Sequence, residues 1–141
     1  MRVDVRNLQD RPVDTGALLR VVAQAARELE PCPDSLSLVL MDDEGIHDVN
    51  RRFRHVDSPT DVIAFEAEEE GPELAGEVLI SVQTAERQAQ AAGHDVTTEL
   101  AWLAAHGVLH VGGMDHATDE DLAAMAELQR RILQASGFEP R

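Results

Sequence analysis

Three histidines fall within one short stretch of the sequence, His106-Gly-Val-Leu-His110-Val-Gly-Gly-Met-Asp115-His116. On a helix, positions 106 and 110 lie a turn apart on the same side. Gly112-Gly113 then frees the backbone to leave the helix, and His116 can return toward the same point. Imidazole nitrogens suit Zn²⁺, and three protein ligands leave a fourth position for water, which is the catalytic rather than the structural arrangement. The spacing therefore predicts one zinc per chain, held by His106, His110 and His116, although a related divalent metal would accept the same donors. The competing interpretation, three histidines with separate surface or core roles, does not account for their i, i+4 and i+10 spacing around a Gly-Gly break. His47, His55 and His94 have no such spacing and read as surface residues. Cys32, the single cysteine, offers no evident fourth ligand and forbids an internal disulfide.

One absence limits the chemistry. Zinc proteases of the His-Glu-x-x-His kind carry a glutamate base directly after the first ligand. Here that place is Gly107, so a protease lacks its general base. A ligand histidine also needs a partner for its second ring nitrogen. Asp115 is a candidate, as is a backbone carbonyl, and a turn-forming role suits Asp115 equally.

The elements that must position these residues follow from patterning. Residues 2–6 alternate as a strand. Asp14 or Thr15 caps a helix with Leu18, Val21, Val22, Ala25 and Leu29 on its apolar side, and Pro31-Cys32-Pro33 stops it. Leu36 to Met41 is a strand. Asp42 and Asp43 can cap a helix with Ile46, Val49, Asn50 and Phe53 along one side. Ser58-Pro59-Thr60 is a loop, Val62 to Phe65 a short buried strand, and Glu66 to Glu73 an exposed loop or turn. Gly76 to Ser81 is a strand, and Ser81 can cap a helix reaching Ala92 with Gly93 beyond it. Asp95 or Thr97 opens the helix that carries the first two histidines, with Leu100, Leu103, Ala104, Gly107, Val108 and Val111 inward. Thr118-x-x-Asp121 resembles a capping box ahead of a last helix with Leu122, Met125, Leu128, Ile132 and Leu133. Strands in the first half and helices in the second predict an α+β fold: one domain over residues 1–141, with a single small mixed sheet, about five helices and the metal site at a helix–turn segment.

The totals agree with this. A chain of 141 residues, 43% hydrophobic, can bury one core. The start, Met-Arg-Val-Asp-Val-Arg, has no apolar run behind a basic segment, so no signal peptide is expected. Nor does any stretch reach the ~18 apolar residues of a membrane span. A cytoplasmic protein is expected. The formal net charge of −15, with 27 acidic residues against 12 basic ones, describes a solvated acidic surface.

The histidine stretch resembles the signature of the YbeY endoribonuclease family, His-Gly-x-Leu-His-Leu-x-Gly-x-Asp-His, with Val111 in place of a leucine. Asn50-x-x-Phe53-Arg54-x-x-Asp57-x-Pro59-Thr60-Asp61-Val62 is similar to a second family stretch, and Gly76-Glu77-Val78-Leu79-Ile80-Ser81 to a third. The resemblance runs from about Leu36 to Phe138. The family's usual Val-Leu-Ser-Phe-Pro is here Val62-Ile63-Ala64-Phe65-Glu66. The resemblance implies a zinc-dependent endoribonuclease that prefers single strands. It also implies action on ribosomal RNA, especially the 3′ end of the small-subunit RNA, ribosome quality control, and a small mixed sheet with helices around it. Ribosomal RNA and the ribosome or its associated proteins would be the partners, with no membrane.

The resemblance also places Arg54 at the site as the catalytic charge stabiliser. A guanidinium is always charged and matches phosphate in a bidentate way; otherwise Arg54 is a solvated helix-end arginine. Arg51, Arg52 and Arg54 would form a cationic lane on an acidic body. Phe53 can stack on a base, but core packing is the use expected first. Two other functions remain open at this point: a zinc-stabilised ribosome-assembly factor without turnover, and a metal hydrolase of another phosphoester.

Overall fold

A computed structural model describes residues 2–65, 75–114 and 117–138. Its element order is β1 (Arg2–Asn7), α1 (Thr15–Ala26), β2 (Ser35–Met41), α2 (Asp43–Arg54), β3 (Val62–Phe65), β4 (Ala75–Ser81), α3 (Val82–Ala92), α4 (Val96–Val111) and α5 (Asp119–Ala135). The fold is α+β, with one mixed sheet and five helices among the described residues. Each open choice of helix cap is settled by a side chain that accepts from a backbone amide of the first turn. Asp14, Asp42, Ser81, Asp95 and Thr118 are the five caps. The expected loop over Glu66–Glu73 lies outside the described residues.

The strand order, not readable from the sequence, is β1-β2-β4-β3. Strands β1, β2 and β4 are parallel, and β3 joins the edge antiparallel to β4, with Val62 opposite Ile80 and Phe65 opposite Glu77. Because side chains alternate across a strand, the two faces of the sheet carry different cores. Leu36, Leu38, Leu40, Val78 and Ile80 meet α1, α4 and α5 in the larger one. Val39, Leu79 and Ile63 meet Ile46 of α2 in the smaller.

Helix α4 is the central element. Ten of its sixteen residues are buried, on nearly every side, as expected of a helix packed all round. A Cβ at Gly107 would lie 2.4 Å from Cγ1 of Val78, so only glycine lets α4 come this close to β4. The same fact explains why no glutamate follows His106: that position faces the sheet. Half-buried His106 and His110 mark the stretch of α4 that is not covered.

Burial falls along α2, from buried Ile46 through half-buried Val49 to Phe53, which is 64% exposed. The helix therefore leaves the sheet as it nears its C-terminus. This corrects the expectation that Phe53 serves core packing: its ring meets solvent and packs edge to face with Phe65, their centroids 5.7 Å apart. Leu122, at the start of α5, is likewise exposed instead of inward.

Candidate active site

The end of α4 is built by its two glycines. The Gly113 amide donates to the His110 carbonyl (2.9 Å) and the Met114 amide to that of Leu109 (3.1 Å), while Gly113 takes a φ of 88°. This paired closure satisfies the last helical carbonyls and turns the chain away, and the left-handed step suits glycine. The turn expected from Gly112-Gly113 is thus present. Asp115 and His116, which follow it, lie outside the described residues.

His106 and His110 converge as their spacing predicts. Their Nε2 atoms are 3.0 Å apart and their rings meet edge to face, with centroids 4.5 Å apart. Two imidazole nitrogens on one tetrahedral zinc, each at ~2.0–2.1 Å from it, are about 3.3 Å apart by geometry. The pair therefore fits a shared metal within a few tenths of an ångström, and its neutral nitrogen donors suit zinc. Among the described residues, no group of three His, Cys, Asp or Glu side chains gathers around one point. The third expected ligand is His116.

Both histidines line an open cleft of about 670 Å³, together with Arg54, Asn50, Asp61 and Phe65. Asn50 is buried, and its amide donates to the Ser58 carbonyl (2.9 Å), which ties α2 to the loop leading into β3. Asp61 fixes the start of that strand. One of its oxygens accepts from the Val62 amide (2.7 Å) and the other from Gln88 (3.2 Å). Arg54 ends α2, where the following residue, His55, takes a left-handed φ of 58° and caps the helix. The Arg54 guanidinium donates to the Ala64 carbonyl (2.6 Å) and lies 5.7 Å from the centre of the Phe65 ring. A main-chain carbonyl makes this contact, so the family's serine is not needed for it.

The cationic lane is narrower than expected. Arg51 and Arg52 both pair with Asp48, at 2.6 and 3.3 Å, and neither lines the cleft. Residues three and four apart on one helix meet readily, and the pairing holds both guanidinia on the outer side of α2. Among the described residues, no carboxylate pairs with Arg54. His47 bonds Asp57 (2.8 Å). His94, expected at the surface, is mostly covered and bonds the buried carboxylate of Glu99 (2.6 Å).

Sequence reasoning missed Gln129. It is 3% exposed on α5, and its Oε1 lies 3.4 Å from Nδ1 of His106. A signal was present: position 129 falls between Met125 and Ile132 in the apolar stripe, and a polar residue in a core position needs partners.

The chain's relatives identify its family. A family model described as Endoribonuclease YbeY matches residues 5–137. The chain belongs to the YbeY endoribonuclease family. Endoribonuclease YbeY of Moorella thermoacetica is 42% identical, over 98% of this chain and 99% of its own length. Its namesake in Pelotomaculum thermopropionicum is 41% identical, over 94% and 95%. A solution structure from Thermotoga maritima shares the fold of this YbeY family member, with a TM-score of 0.63 and 24% identity over 94% of this chain and 88% of that one.

Proposed function

We propose that this chain is a zinc-dependent endoribonuclease that cuts single-stranded RNA. Within that reading it works in the cytoplasm on ribosomal RNA, at the 3′ end of the small-subunit RNA and in ribosome quality control, with the ribosome or its associated proteins as partners. One observation carries the reading: a single cleft brings Arg54 to the paired histidines, in a family of endoribonucleases. None of the helices described is long and apolar enough to cross a membrane.

His106, His110 and His116 would hold the metal. Bound zinc supplies Lewis acidity, drawing charge from a phosphoryl oxygen and making water a better nucleophile at neutral pH. Arg54 does the rest of the charge work. Its contacts with Ala64 and Phe65 fix the guanidinium, and its remaining N–H donors can grip a phosphate as negative charge develops there. Phe65 lines the cleft, and only an unpaired base can stack on an aromatic ring, which fits a single-strand preference. The acidic body opposes general adhesion to nucleic acid, so targeting by ribosomal partners suits it.

Cleavage of an unstructured RNA by the zinc-loaded protein, beside His110→Ala purified identically, tests the reading. Internal cuts by the wild type and none by the variant are expected. Equal cleavage by both proteins, or none by either, would refute it.

A further inference from the structure

Gln129 joins α5 to the central helix through both ends of its amide. Its Nε2 lies 3.2 Å from the main-chain carbonyl of Trp102, and its Oε1 lies 3.4 Å from Nδ1 of His106, at the long end of the hydrogen-bond range. A carbonyl can only accept, so the amide must present its NH₂ to Trp102. That leaves an oxygen facing His106, and an amide oxygen can only accept in its turn. Nδ1 of His106 must then carry the proton. Neutral imidazole has one N–H, so Nε2 keeps its lone pair, and Nε2 is the atom turned toward His110.

We propose that Gln129 is a positioning residue that fixes the tautomer and ring orientation of His106, so that its Nε2 lone pair is ready for a metal. The chain of constraint starts at the Trp102 carbonyl, four residues before His106 on the same helix, and returns to α4 through α5. Ligand and partner thus belong to one rigid unit. The 3% exposure of Gln129 keeps water from competing for either end of its amide. This inference rests on reading His106 as a metal ligand, but the tautomer can be measured without any metal.

The test uses the full-length protein with ¹⁵N-labelled histidine, freed of metal. Long-range proton–nitrogen spectra separate the two neutral tautomers, and His106 is assigned by the signal lost in His106→Ala. The expected result is His106 protonated at Nδ1 in the wild type. Protonation at Nε2 overturns the proposal, and this readout does not require any variant of Gln129 to fold. Zinc affinity, measured by competition with a chelator, supplies the second arm. Gln129→Met, which fills the space without accepting a bond, should bind zinc 10–100-fold more weakly. Gln129→Glu keeps the acceptor for His106 Nδ1–H but gives up the donor to Trp102, so its affinity should fall between those of wild type and Gln129→Met. Pure packing predicts the reverse order, with Met tolerated and Glu harmful, and that order would sink the proposal. A wild type that binds no zinc at all overturns the reading of the ligands instead, leaving the tautomer result to stand or fall alone.

Discussion

The two ends of helix α2 hold polar groups of opposite fate. At its start, the Asp43 carboxylate accepts from Ser81 Oγ (2.6 Å), Thr84 Oγ1 (2.7 Å) and Arg87 (2.9 Å). Ser81 is fully buried, and Arg87 balances the charge. At its end, Arg54 has, among the described residues, one carbonyl and one aromatic ring as partners, lies exposed, and lines the cleft with His106 and His110. In the first cluster the carboxylate is filled: three donors from Ser81, Thr84 and Arg87 converge on its two oxygens. The second is open: among the described residues, the cation is fixed by one hydrogen bond and its other N–H donors are not taken up. Charge alone does not distinguish a structural group from a functional one; what its hydrogen bonds already hold does.

Substitutions at the two ends should therefore have separable effects. The largest is at Arg54. Arg54→Ala should slow single-turnover RNA cleavage by roughly 10²–10³, the usual cost of losing one charge-stabilising donor. Folding and zinc content should stay normal. Arg54→Lys keeps the charge but not the planar fork, so it should recover only part of the rate. Near-normal cleavage by Arg54→Ala, with a lowered melting temperature, would place both ends of α2 in the same structural class.

Asp43→Ala should do the opposite. It strands the buried Ser81 hydroxyl without its acceptor and costs about 1–2 kcal/mol of stability. Denaturant unfolding reads that loss, and cleavage per folded molecule should not change. A rate defect in fully folded Asp43→Ala would erase the contrast.

The smallest effect is in acid. Burial pushes the Asp43 carboxyl up, but hydrogen bonds from Ser81, Thr84 and Arg87 outweigh it and hold the group below its ordinary value of 3.8. A carboxylate with a depressed folded pKa adds stability that is complete above the unfolded value and lost as pH falls through the folded one. The stability gap between wild type and Asp43→Ala should therefore narrow below about pH 4. A gap that stays constant down to pH 2 would mean the carboxylate's charge contributes nothing there.

Much of this layout was legible in the sequence because local chemistry wrote it. Asp14, Asp42, Ser81, Asp95 and Thr118 announce helix starts through their own side chains. The i, i+4 spacing of His106 and His110 guarantees their convergence once α4 forms. What stayed hidden depends on partners distant in the chain. Periodicity places Phe53 on the same side as Ile46 and Val49, but not where α2 parts from the sheet. It puts Arg51 beside Arg54 without revealing that Asp48 claims the former. Gly107 reads as a missing base until Val78 of β4 is seen against it. Gln129 reads as an interruption in an apolar stripe until α5 is docked on α4. Strand order follows from which hydrophobic faces pair, and no local signal encodes that.

The account rests on a metal held by His106, His110 and His116, and zinc content measures that directly. Elemental analysis of the purified full-length protein should find about one zinc per chain, as three imidazole ligands build a single catalytic site. The triple variant, with alanine at all three positions, should retain the fold and lose the zinc. Stoichiometric zinc in a folded triple variant, or none in the wild type, would contradict the account.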